Sequence, residues 1–212
     1  MLRAIDYDGV TRMLKAAAEE IRANHELLSK LDSVGGDGDH GTTMVRAMAL
    51  IDKTIEGRSD RNIKSLLRDL GWAIMGVDGG AIGPLLGLFF AGMANAAEGE
   101  SADAGQLAAM FEAGLAHLRK QTKAQPGDKT LMDALVPAVE AARAETASND
   151  MVSMLKAAAR AADMGAEATK DMVAKFGRAR NVKEQTIGTP DPGATSVALI
   201  FNGFLKGAEQ HA

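Results

Sequence analysis

Apolar residues along this chain return at helical intervals and almost never at every second position, a rhythm that admits amphipathic helices and little else. Val10, Met13, Leu14, Ala17, Ile21, Leu28 and Leu31 recur at three-, four- or seven-residue spacings, with Ile5 ahead of them and Lys, Glu and Arg between. This predicts one long first helix. Comparable patterns cover 42–56, 62–76, 83–97, 104–121, 129–146, 151–175 and 195–208, divided by clusters of Gly, Pro, Asp and Ser that stop one helix and cap the next. The expectation is therefore eight helices. Aromatic residues are only 4% of the chain and strand-length runs of Val, Ile and Thr are scarce, which favours the same all-α class.

The length of 212 residues suits one well-buried domain, and no Gly/Ser- or Pro-rich linker divides it, so 1–212 reads as a single domain. With 46% hydrophobic and 25% charged residues, the chain has the composition of a folded protein. Its net charge of -4, with Lys and Arg scattered among acids, offers no basic footprint for nucleic acid. Cysteine is absent, which removes disulfides, thiolate metal sites and Cys nucleophiles together. The N-terminus carries acids where a signal peptide would be apolar, and Ala81 to Ala97 is short and broken by Gly and Pro, so a cytoplasmic, membrane-free protein is expected. The twelve Met residues fall at helical spacing and read as core.

Three connections differ from the rest in being crowded with Gly, Asp and Pro: Asp32 to Thr43, Gly76 to Pro84, and Ile187 to Ser196. In the first, Asp32, Asp37 and Asp39 are interleaved with glycines at 35, 36, 38 and 41 that let the backbone fold three carboxylates toward one point. Converging carboxylates disfavour one another's ionisation unless a cation lies among them. Oxygen ligands without Cys suit Mg²⁺ or Ca²⁺ rather than Zn²⁺, and Mg²⁺ usually completes its shell with water and substrate phosphates. A solvated acidic turn with Asp39 or Thr42 capping the next helix is the alternative. Gly36 to Gly41 satisfies G-x-G-x-x-G but follows a helical pattern rather than a strand, and the EF-hand and P-loop patterns both fail.

The second loop leads through Gly79 and Gly80 into a helix with Pro84 in its first turn, where free N–H groups favour a phosphate; a tight turn is the simpler reading. The third is stiffened by two prolines and ends in Thr195 or Ser196 as candidate caps. Arg178 shortly before it reads either as a phosphate partner or as a cation at a helix C-terminus. Asp128 reads as the cap of the sixth helix, and His25 and His117 as ordinary helical residues.

The runs GGDGDHGTTM, DGGAIGPLLGLFF, QPGDKTLMDALVP and GRARNVKEQTIGTPDPGATS, in this order and spanning nearly the whole chain, resemble the nucleotide-binding subunit L of dihydroxyacetone kinases. The resemblance implies a barrel of eight amphipathic helices with ADP or ATP and two Mg²⁺ ions held by interhelical loops at one end. Carried over by position, Asp32, Asp37 and Asp39 are the Mg²⁺ ligands, while His40, Gly41, Thr42, Thr43, Ala81, Ile82, Thr122, Leu131, Arg178, Asp191, Pro192 and Gly193 surround the nucleotide. Arg178 and His40 would orient the phosphoryl group, and no residue of the chain reads as a nucleophile. One departure stands out: family members commonly have Gly-Gly-Ser-Ser-Gly or Gly-Gly-Ala-Ser-Gly where this chain has Gly79-Gly80-Ala81-Ile82-Gly83. A hydroxyl that could bond a phosphate is lost, worth about 1.5–3 kcal/mol if nothing replaces it.

The resemblance allows three functions. In a phosphotransferase-system kinase, subunit L holds ADP as a coenzyme, takes a phosphoryl group from subunit M and passes it to dihydroxyacetone on subunit K. In an ATP-dependent triose or ketotetrose kinase, ATP exchanges as a substrate. A non-catalytic module would use the same site to select a transcription regulator. A separate chain without a K-like segment favours the first. A homodimer is the expected assembly.

Overall fold

The structure is a computed structural model that describes residues 1–210. Nine α-helices occur among the described residues: α1 (Tyr7–Ala23), α2 (His25–Asp32), α3 (His40–Glu56), α4 (Ile63–Met75), α5 (Ile82–Ala96), α6 (Ala104–Arg119), α7 (Met132–Ala144), α8 (Met151–Ala168) and α9 (Pro192–Glu209). The ninth arises because the first predicted helix is broken at Asn24. The Asn24 side chain donates to the Glu20 carbonyl and its own N–H bonds to Ile21 O, the local competition with helix continuation typical of Asn. The break turns α2 against α3, where Gly41 passes so close that a Cβ there would lie 1.9 Å from the His25 carbonyl oxygen.

Two three-residue strands, β1 (Ala4–Asp6) and β2 (Ser101–Asp103), pair antiparallel with Ile5 opposite Ala102. They are too short to leave a period-two signal. Each ends in an Asp that caps the following helix: Asp6 accepts from the Gly9 N–H, and Asp103 forms a reciprocal capping box with Gln106.

Other boundaries correct the sequence reading. Helix α9 begins at Pro192 with Asp191 as its cap, accepting from the Ala194 N–H at 2.7 Å, so neither Thr195 nor Ser196 caps it. Asp128 does not cap α7; it closes its own turn by accepting from the Gln125 N–H and pairs with Lys175. Helix α7 has no side-chain cap; Asp133 in its first turn ties down the preceding loop instead, its two carboxylate oxygens accepting from the Gly127 and Thr130 N–H groups. The pattern predicted over 151–175 stops at Ala168, because Thr169 bonds back to the Ala166 carbonyl and accepts from the Asp191 N–H, diverting the chain into short 3₁₀ turns.

The helices neighbour one another in a cycle. From α1 the order runs through α3, α4, α5, α6, α7, α8 and α9 and returns to α1, with α2 against α3 and α9. Closure of α1 on α9 depends on Gly203, where a Cβ would sit 2.3 Å from Ala17 Cα. Inside, Phe111 meets Phe201 edge-on at 5.2 Å and stacks with Phe204 at 6.0 Å. Methionines 13, 44, 48, 93, 110, 132, 151 and 154 fill the same core, but Met1 and Met164 are exposed and Met75 and Met172 half-buried, so the core reading holds for eight of the twelve. No helix among the described residues is long and apolar enough to cross a membrane.

Candidate nucleotide and metal site

The three Gly/Asp/Pro-rich loops meet at one end of the helical ring around a cavity of about 600 Å³, within the range of ligand pockets. Its floor is the acidic loop. Asp32 ends α2, and the chain folds back so that the Gly36 N–H reaches the Asp32 carbonyl and the Gly38 N–H reaches its carboxylate at 2.9 Å. Gly38 has φ 77°, and a Cβ at Gly36 would lie 2.2 Å from Asp32 Oδ1, so the fold-back needs glycine at both positions. The result places one oxygen each of Asp32, Asp37 and Asp39 within 4.8 Å of one another.

Asp39 occupies the cap position of α3 yet makes no side-chain capping bond, and Thr42 lies within the first turn, so neither residue caps α3 through its side chain. Its carboxylate is left for another partner. The donor set, three carboxylates with no sulfur, has the chemistry of a Mg²⁺ site. Arg178, at the head of a 3₁₀ turn on the opposite wall, forms an ion pair with Asp37. It is not a helix C-terminal partner.

Two helices start at the cavity wall without side-chain caps. Helix α3 begins at His40, and α5 begins at Ile82 after Gly79 and Gly80, whose φ values of 121° and 58° aim the turn inward. Neither has an acid in its first turn, so both keep N–H groups and positive dipole ends available to an anion. Between them, the Thr43 hydroxyl is buried with no hydrogen-bond partner, facing Gly79 so closely that a Cβ there would lie 2.2 Å from Oγ1. Two free helix N-termini beside a carboxylate cluster fit a phosphate and its metal. His40 Nε2 lies 2.8 Å from the buried Ser196 hydroxyl, and desolvation lowers its pKa to about 4 against the pull of Asp32, leaving a neutral imidazole.

Asp32, Asp37, Asp39, His40, Ala81, Ile82, Thr122, Leu131, Arg178, Asp191, Pro192 and Gly193 all line the cavity. Gly41, Thr42 and Thr43 do not: Gly41 packs on α2, Thr42 is exposed, and Thr43 is buried behind Gly79. Ile82 points into the core, 8% exposed, rather than at the phosphate end. Its backbone still begins α5, so the helix keeps its N-terminal donors despite the missing hydroxyl.

The DAK2 domain family model matches residues 34–206. The chain belongs to the DAK2 domain family. Among DAK2 relatives, it is 35% identical to the ADP-binding subunit DhaL of PEP-dependent dihydroxyacetone kinase 1 from Listeria innocua, over 95% of this chain and 96% of that one. It is 34% identical to the Escherichia coli ADP-binding subunit DhaL, covering 95% and 97%. The dihydroxyacetone kinase of C. freundii, solved with AMP-PNP and Mg²⁺, superposes with a TM-score of 0.71 at 26% identity; the alignment covers 95% of this chain and 33% of that enzyme.

Several wall residues of this DAK2 domain escaped the sequence reading. Lys129, a buried cation with left-handed backbone, and Phe176, half-buried beside Arg178, both line the cavity. The only sequence trace of Lys129 is its place in Gly-Asp-Lys-Thr, which reads equally as a surface turn.

Proposed function

We propose that this chain is the ADP-binding subunit of a PEP-dependent dihydroxyacetone kinase, a single nucleotide-binding domain over 1–212 that relays a phosphoryl group to dihydroxyacetone held by a partner subunit K. The observation that carries this reading is the carboxylate cluster sharing one cavity with the uncapped N-termini of α3 and α5. Alignment over nearly the whole length of two ADP-binding subunits of PEP-dependent kinases supports the subunit reading, with subunit M as the phosphoryl donor. The reading places it in the cytoplasm as a homodimer, with a transcription regulator as a further partner.

Asp32, Asp37 and Asp39 would hold Mg²⁺, and the N-terminal amides of α3 and α5 would orient phosphate oxygens. When bound, ADP with Mg²⁺ would supply the phosphoryl acceptor, taking the group from subunit M and giving it up to dihydroxyacetone, with its charge offset by the metal. Arg178, now paired with Asp37, would pair with a phosphate oxygen once a cation took its place at that carboxylate. Neutral His40, held by Ser196, donates or accepts one hydrogen bond without taking the phosphoryl group itself.

The test is to purify the protein without added nucleotide, denature it and identify what is released. Near-stoichiometric ADP that resists exchange with labelled ATP is expected. Rapid exchange with ATP would instead assign an ATP-dependent kinase, and no nucleotide binding with Mg²⁺ would overturn the enzyme reading.

A further inference from the structure

Lys129 is 5% exposed, has φ 58°, and lies on the cavity wall opposite the acidic loop. A side chain in this left-handed conformation is disfavoured, and a buried ammonium is costly unless its donors are used. Here they are used on backbone from two distant segments. Nζ donates to the Thr169 carbonyl just past the end of α8 and to the Thr189 carbonyl, each at 2.6 Å. Thr189 leads directly into Pro190 to Gly193, the stretch that forms one cavity wall and opens α9.

The surroundings lock this arrangement from both sides. Asp133, 3% exposed, closes the loop around Lys129 through the Gly127 and Thr130 amides, and Thr169 Oγ1 accepts from the Asp191 N–H at 2.8 Å. The carboxylates of Asp191, Asp133 and Asp171 offset the ammonium charge, while burial pulls the Lys129 pKa below its ordinary value. No part of this network belongs to the metal cluster. A left-handed, buried lysine that spans α7's entry loop, the end of α8 and α9's entry loop is a strained feature at a site wall, where strain is commonly kept for geometry.

We propose that Lys129 is a positioning residue for nucleotide binding, its ammonium holding the Thr189–Gly193 wall at the separation from Leu131 and the acidic loop that the nucleotide requires. This rests on the reading of the cavity as a Mg²⁺–nucleotide site.

The experiment compares wild type with Lys129→Met, which keeps the length and removes both donors, and with Lys129→Arg, which keeps the charge. Mg²⁺–ADP affinity is measured by calorimetry, Mn²⁺ binding without nucleotide by spin resonance, and melting by circular dichroism. Lys129→Met is expected to weaken ADP binding by about tenfold or more, to leave Mn²⁺ binding within about twofold, and to be partly rescued in Lys129→Arg. A residue that merely supports the fold would lower melting without changing ADP affinity at temperatures where the variant is folded. If Lys129→Met does not fold, Lys129→Gly, whose backbone favours φ 58°, is read by the same criteria. ADP affinity near wild type, parallel loss of Mn²⁺ and ADP, or failure of both variants to fold overturns the proposal. Absence of ADP binding by the wild type overturns the functional reading and this proposal with it, whereas normal binding by wild type and variant alike overturns this proposal alone.

Discussion

Arg178 and Asp37, far apart in sequence, are ion-paired across the mouth of the cavity, so that a guanidinium sits against one of the three carboxylates able to converge on a single cation. The pair makes the arginine and the metal competitors for the same oxygen. Arg178→Ala is therefore expected to raise Mn²⁺ affinity of the nucleotide-free protein by a modest factor, about two- to fivefold for so exposed a pair, while lowering ADP affinity by about tenfold or more. Opposite signs for the two ligands, read by metal titration and calorimetry, are the signature; losses of both would contradict it.

Asp37→Asn removes one converging charge without removing a core contact, because Asp37 is exposed. Nucleotide retention is expected to disappear while the helical circular dichroism stays unchanged. Co-purifying ADP at the wild-type level would contradict the metal assignment.

Ile82→Ser introduces a hydroxyl at the start of α5, but it also empties a core site, since Ile82 is 8% exposed and packs in the main hydrophobic cluster. Chemical denaturation is expected to show a loss of about 2–4 kcal/mol. ADP affinity should change little, because α5 offers its backbone donors with either residue; a large gain would show that the hydroxyl, not the helix terminus, governs the phosphate.

Asp191 gives the stability a pH dependence of definite sign. Desolvation raises its pKa from 3.8 to about 7, against the Ala194 amide and Lys129 and with the help of Asp133. The unfolded chain thus ionises first, so the contribution of Asp191 to stability is complete below about pH 4 and is lost as pH rises toward 7. Asp191→Asn, which keeps an oxygen for the α9 cap, should be more stable relative to wild type at pH 8 than at pH 5, by more than about 1 kcal/mol. Equal pH slopes for the two proteins in urea unfolding would refute it.

The all-α class was legible because periodicity reports which face of a helix is buried, and helices such as α4 and α6 follow their apolar spacing within a residue or two. Asn24 was not, since its effect depends on a side-chain bond to Glu20 that composition does not reveal. The acidic cluster was legible because its chemistry is local: Asp32, Asp37 and Asp39 are close in sequence and the glycines between them announce a fold-back. Lys129 was invisible for the opposite reason. Its partners, Thr169 and Thr189, are 40 and 60 residues away, and they offer backbone carbonyls, which any residue type possesses. The starts of α7 and α9 were misread because Asp, Ser and Thr residues stood near each: Asp128 is taken up by its own turn and Ser196 by His40, leaving α7 without a side-chain cap and α9 capped by Asp191.

The cycle of helices is sealed by α9 lying along α1, the last and first helices among the described residues. During synthesis, the acidic loop and the N-terminus of α3 leave the ribosome long before their facing wall, and His40 must wait for Ser196, 156 residues later. Such long-range closure slows folding relative to a bundle of sequential hairpins. The growing chain therefore carries its three clustered carboxylates early but completes the cavity around them only when α9 closes on α1.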